Sequence, residues 1–143
     1  MDETDVARTL TTMMYHLKGK NFPWRVDGSA NLLIQGVATT ANDVNIATNA
    51  DGLRICKKAL KQYGLEEIDN KQKKIRSLRG SVRGIAIEIN CYENFDLRMF
   101  DKIMMVSWKG QNLPLLPLEH AAEFYRKIHR LDKVELIYQH LHQ

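Results

Sequence analysis

Two stretches of strict alternation constrain this chain more than anything else in it. In the segment 43–47 the side chains of Asp43 and Asn45 leave by one face of an extended strand while Val44 and Ile46 leave by the other. In the segment 82–92 Ile85, Ile87 and Ile89 share a face, and Ala86, Glu88 and Asn90 share the opposite one. Each pattern demands a half-buried strand with an apolar side against a core and a polar side left for water or a ligand. Upstream of the first, residues 24–47 read as a short strand, a Gly28-Ser29 turn, a short helix and then the strand at Asp43. A tight turn that opens a helix offers free backbone N–H groups to an anion. A carboxylate edge beside it suits a divalent cation.

Length and charge narrow the setting. With 143 residues the chain is expected to be one domain with a sizeable core. No apolar run reaches the roughly 18 residues of a membrane span, and the N-terminus is acidic, unlike a signal peptide. The two cysteines, Cys56 and Cys91, give neither a disulfide framework nor a Cys-x-x-Cys zinc pair, so a reduced, cytoplasmic protein is the expectation. A net charge of +4 permits an anionic ligand without requiring one.

Taken in order, residues 4–18 predict a helix with Val6, Leu10, Met13, Met14 and Leu17 on one stripe, capped by Asp2 or Thr4 and stopped by Gly19. A strand over 24–26 and a helix over 30–35 follow, then the strand at 43–47. Asn49-Ala50-Asp51 caps a helix over 52–63 that ends at Gly64. Beyond a charged loop, strands over 73–79 and 82–92 are joined by Gly80-Ser81, a type II′ turn signal. A second hairpin, 103–108 with 113–115, turns at Lys109-Gly110, and Pro114 and Pro117 confine its last strand to an edge or an end. Helices over 118–129 and 133–140 close the chain. The fold class is α/β (α+β): a small mixed twisted sheet with helices packed mainly on one side, as one domain over 1–143.

Asp43, Asn45 and Glu88 meet at one sheet surface in this reading. Phosphoryl and nucleotidyl transfer need such a cluster, because magnesium bridges triphosphate oxygens and neutralises charge developing in the transition state. The same residues also suit a plain solvent face, with Gly28-Ser29 as a helix cap; alternation alone does not decide between the two.

The pattern resembles the nucleotidyltransferase superfamily with the polymerase β-like fold, in its small prokaryotic form. Its signature is an apolar residue, Gly, Gly or Ser, a spacer, then Asp-apolar-Asp/Glu-apolar, with a third acid on a later strand. Here Gly28-Ser29 is followed after thirteen residues by Asp43-Val44-Asn45-Ile46, and Glu88 stands in Ile87-Glu88-Ile89. The residue before Gly28 is Asp27 rather than an apolar one. A Leu-Pro-Leu-Glu opening at 116–119 and a basic patch at 126–133 extend the likeness over about residues 20–140.

The resemblance implies roles. Gly28 and Ser29 bind the triphosphate of an NTP, and Asp43 and Glu88 hold magnesium, with Glu88 near the acceptor hydroxyl. Two ions belong to a fully active site. Asn45 falls where the family has its second Asp, and an amide offers one neutral oxygen but cannot bridge two cations. Three explanations stand open: an engineered substitution that traps a substrate complex, a natural enzyme with weakened metal binding, or a binding module that has lost turnover. The expected activity is transfer of NMP from an NTP to a hydroxyl on a small molecule, a protein or an RNA. With no second domain expected, a partner protein or a second copy would supply an acceptor site.

Other basic and reactive residues carry less. Lys127, Arg130 and Lys133 flank the break between the last two helices and are candidates for phosphate contact. The run Lys71, Lys73, Lys74, Arg76, Arg79 and Arg83 reads as a solvated hairpin, or as a surface for RNA, though no aromatics are interleaved for base stacking. The histidines form no metal-ligand pattern, Cys91 has no neighbouring base, and Met104-Met105 read as core filling.

Overall fold

The structure, a computed structural model, describes residues 1–143. One mixed sheet of seven strands runs through the chain: β1 Trp24–Asp27, β2 Asp43–Thr48, β3 Glu66–Asn70, β4 Ile75–Val82, β5 Ile85–Tyr92, β6 Met104–Trp108 and β7 Gln111–Leu115, in the spatial order β3-β4-β5-β2-β1-β7-β6. β2 and β5 lie parallel at its centre, and β1 pairs antiparallel with β2. The helices are α1 Glu3–Leu17, α2 Gly28–Ile34, α3 Ala50–Ala59, α4 Leu118–Lys127 and α5 Leu131–Leu141. No helix is long and apolar enough to cross a membrane.

The alternation in β2 and β5 builds the core as expected. Val44, Ile46, Ile87 and Ile89 are fully buried against Val6, Leu10 and Met13 of α1 and Leu53 and Cys56 of α3. α1 opens on a capping box: the Asp2 carboxylate accepts from the Asp5 N–H, and Asp5 reciprocates. On the opposite sheet face α4 and α5 pack Phe124, Tyr125 and Ile137 against Ala47 of β2, Tyr92 of β5 and Leu116. The uncovered remainder of that face is the floor of a cleft.

Several boundaries differ from the sequence expectation, each for a local reason. The hairpin turn is Arg83-Gly84, both with positive φ, rather than Gly80-Ser81. Gly80 lies inside β4 because a Cβ there would sit 2.5 Å from the Tyr63 carbonyl oxygen; the glycine answers a close backbone approach, not a turn. The charged loop contains β3, an edge strand whose Glu67 pairs with Lys57 at 2.9 Å and Arg76 at 3.7 Å. β7 is interior, not an edge; Pro114 is tolerated because β7 meets β1 at the single bridge Val26–Leu115. Met104 and Met105 are exposed on the edge strand β6 rather than buried.

Candidate active site

The chain passes from β1 into α2 without a loop. Asp27 is the last residue of the strand and Gly28, at φ +66°, the first of the helix. A Cβ on Gly28 would lie 2.9 Å from Nδ2 of Asn45, so the glycine lets the strand-to-helix junction close over the Asn45 amide. Gly28→Ala is therefore expected to cost roughly 1–2 kcal/mol from the left-handed backbone alone, with displacement of Asn45 in addition. Thermal unfolding measures the loss.

Register sets the rest. Asp27 on β1 stands beside Asn45 on β2, Asn45 beside Glu88 on β5, and Glu88 beside Arg79 on β4. Residues directly opposite in neighbouring strands share a sheet face, so Asp27, Asn45, Glu88 and Arg79 form one row, with Asp43 two residues along β2. All five line the cleft, whose volume of about 460 Å³ falls in the range of small-ligand sites. Glu88 accepts from the Arg79 Nε at 3.1 Å. Burial raises the pKa of Asp43, and the nearby Glu88 carboxylate raises it further, while Arg79 and Lys133 pull it down. The Oδ1 of Asn45 is buried without a hydrogen-bond donor.

Across the cleft, α5 and the residue that precedes it supply cations. Lys133 donates from Nζ to the Ser29 hydroxyl at 2.7 Å, and burial lowers its pKa, with Arg130 adding to the effect. Arg130 lines the same cleft and holds Asp132 through two bonds of 3.1 and 3.0 Å. Of the residues singled out in the sequence, Gly28, Ser29, Asp43, Asn45, Glu88, Arg130 and Lys133 are thus brought together. Lys127 is not: it is exposed on α4 and lines no part of the cleft.

Asp27 was not singled out from the sequence. Its carboxylate is almost wholly buried and accepts from the Tyr92 hydroxyl at 3.3 Å. It also lies 3.7 Å from the guanidinium of Arg25, which is completely buried and donates to the carbonyls of Arg98 and Leu97. A buried arginine needs a counter-charge, and Asp27 provides it at the cleft floor. The spacing Arg25-x-Asp27 in a strand ending at Gly28 was the available signal. Burial and the Asp27 charge push the Tyr92 phenol well up, and burial does the same to Tyr125, so both hydroxyls stay protonated. The cysteines take no part: burial pushes the Cys56 thiol up to about 12 and raises Cys91 as well.

No group of three or more His, Cys, Asp or Glu side chains is arranged to hold a metal ion by itself. The donors at the centre of the cleft are two carboxylates, Asp43 and Glu88, and the unpartnered amide oxygen of Asn45. These are hard oxygen ligands, and a cation among them would relieve the repulsion between Asp43 and Glu88 and satisfy the amide.

Comparison with solved structures identifies the fold. Over 99% of this chain and 96% of the other, it superposes on a protein of Thermotoga maritima assigned as a nucleotidyltransferase, with a TM-score of 0.78 and 24% identity. It matches the lincosamide antibiotic adenylyltransferase LnuA, solved with lincomycin bound, at a TM-score of 0.63 and 12% identity over 96% of this chain and 97% of that one. ANT(2")-Ia, solved with adenylyl-2"-tobramycin, matches at 0.61 and 8% over 96% and 90%. No family model and no curated protein matches the sequence. The chain has the nucleotidyltransferase fold.

Proposed function

We propose that this protein transfers a nucleoside monophosphate from an NTP to a hydroxyl acceptor in the cleft between the sheet and α4–α5. One observation carries the proposal: Asp43, Asn45 and Glu88 stand together on one sheet face, opposite Ser29 and Lys133, in a nucleotidyltransferase fold. The acceptor oxygen forms a bond to the α-phosphorus while the bond from that phosphorus to the α–β bridging oxygen breaks. Its electron pair leaves on pyrophosphate, and the hydroxyl proton passes to Glu88.

In this reading Ser29 and Lys133 exchange their mutual bond for contacts to the triphosphate, joined by Arg130. Magnesium would be held by Asp43 and Glu88 with the Asn45 oxygen, and would neutralise phosphate charge as it shifts toward the leaving group. The donor set fits one ion completed by phosphate oxygens and water. Without a carboxylate at position 45, the protein offers no bridging ligand for a second. Arg79 orients the Glu88 carboxylate from the neighbouring strand.

A charge-assisted hydrogen bond contributes about 1.5–3 kcal/mol, so Lys133→Met is expected to weaken NTP binding roughly 10- to 100-fold. Equilibrium titration with magnesium and each of the four NTPs tests this. Unchanged affinity for every NTP would remove the triphosphate role from Lys133.

The amide at position 45 supports a second reading, a module that binds an NTP without turning it over. Incubation with α-labelled NTP, magnesium and cell extract separates the two. Label transferred to an acceptor and lost in Glu88→Gln supports the enzyme. Tight NTP binding with no transfer supports the binding module.

A further inference from the structure

The geometry points to an acceptor that carries a phosphate group beside its reacting hydroxyl, held by Lys73 on the far wall of the cleft. This rests on the nucleotidyl-transfer reading and specifies its second substrate. The carboxylates divide the cleft. On one side, toward α2 and α5, Ser29, Arg130 and Lys133 supply the donors assigned to the triphosphate. On the other side of Glu88 the sheet continues through β4 and β3, whose cleft-facing residues are Ser77, Ile75, Ile68 and Asn70, with Lys73 at the turn between the strands.

None of the residues by which this second wall lines the cleft is acidic; Glu66, on the same face of β3, stands beside Arg79 and outside the lining. Alternation in β3 turns Ile68 and Asn70 toward the cleft and Glu67 and Asp69 to the opposite face, where Glu67 is taken up by Lys57 and Arg76. Lys73 forms no ion pair, although its backbone N–H is anchored by the Asn70 carboxamide at 3.0 Å. The nearer cation, Arg79, is already engaged by Glu88. A free ammonium on a stretch of cleft lining without an acid repels a polycationic acceptor and attracts an anionic one. The wall also offers amide and hydroxyl groups, from Asn70 and Ser77, and two isoleucines, a lining suited to a sugar bearing one phosphate. Lys71 and Lys74 stand exposed at the same turn, outside the cleft lining, where a longer polyanion would reach them.

The test uses the full chain loaded with magnesium and an analogue, non-cleavable between the α- and β-phosphorus, of an NTP that binds it. Ribose 5-phosphate and glycerol 3-phosphate are titrated against ribose, glycerol and tobramycin. The expected result is a preference of at least about 10-fold for each phosphorylated probe over its neutral counterpart. Lys73→Gln removes that preference, Lys73→Arg keeps most of it, and neither changes affinity for the NTP analogue. A short oligoribonucleotide distinguishes the source of the phosphate. Tighter binding than ribose 5-phosphate, lost in Lys71→Gln/Lys74→Gln, identifies a nucleic-acid end; equal or weaker binding identifies a small phosphorylated metabolite. Equal binding of phosphorylated and neutral probes, or a preference that survives Lys73→Gln, overturns the inference while leaving NTP binding intact. Failure of analogues of all four NTPs to bind any form overturns the transfer reading itself, and this inference with it.

Discussion

Asp43→Asn is expected to reduce nucleotidyl transfer by on the order of 10³-fold while making the protein more resistant to heat in the absence of magnesium. The loss follows from charge. A metal ion contributes several kcal/mol of transition-state stabilisation, and each 1.4 kcal/mol is tenfold in rate. Asp43 and Glu88 are the two carboxylates free to hold an ion, since the third in the cleft, Asp27, is engaged by Arg25 and Tyr92. The gain in stability follows from the direction of its pKa. Burial, and then Glu88, raise it above the unfolded value. In the folded chain the ionised carboxylate is therefore the unfavourable form. Its cost is absent below the unfolded value, grows as pH rises through the window between the two, and is fully present at neutral pH. An amide removes the cost. Thermal scans at neutral pH beside a labelled-transfer assay read both effects, and a drop in both would mean Asp43 is structural.

Asn45→Asp is the complementary change, with an effect of opposite sign on each axis. A carboxylate at position 45 would stand directly between Asp27 and Glu88 in the register, two residues from Asp43. Like charges opposite one another on neighbouring strands cost roughly 0.2–1 kcal/mol, and more at a buried position, so the metal-free variant melts earlier. Magnesium should reverse that loss, since a ligand that binds only the folded state stabilises it by an amount that rises with the logarithm of its concentration relative to Kd. The diagnostic is the difference: the shift in Tm on adding magnesium is larger in Asn45→Asp than in the chain as it stands. With a bridging ligand restored, transfer is expected to rise by on the order of 10²-fold, about 2.7 kcal/mol of barrier. An Asn45→Asp protein whose Tm ignores magnesium and whose transfer is unchanged would place the site's chemistry elsewhere.

These expectations show how much of the site was legible in the residues. The polar faces of β2 and β5 were, because their apolar neighbours Val44, Ile46, Ile87 and Ile89 have only one core to enter, and strand geometry does the rest. Gly28 was legible as a special position, although its reason is the Asn45 amide pressed beneath it rather than a free turn. Asp27 was hidden, because an acid just before a glycine reads as part of a turn until Arg25 is known to be buried behind it. β3 was hidden for a related reason. Its sequence, Glu-Glu-Ile-Asp-Asn, has one apolar residue, and what holds it is hairpin pairing to β4 and the cations Lys57 and Arg76, none of which shows as apolar alternation. The hairpin turn was misplaced because two glycine-containing pairs compete for it. The one inside β4 is spent on the approach of the Tyr63 carbonyl. Lys127 and Lys133 looked equivalent on a basic patch, and only helix phase and the turn at Arg130 separate the exposed one from the one that reaches Ser29.

Everything proposed above requires the cleft floored by Asp27, Asn45 and Glu88 and walled by Ser29 and Lys133 to bind a nucleotide. Titration of the chain with magnesium and each NTP, followed by amide NMR, tests it residue by residue. A nucleotide site there gives saturable shifts for at least one NTP, centred on Gly28, Ser29, Asn45, Glu88 and Lys133 and weakened by Lys133→Met. Absence of saturable shifts with all four NTPs, or shifts centred on another face of the molecule, would contradict it.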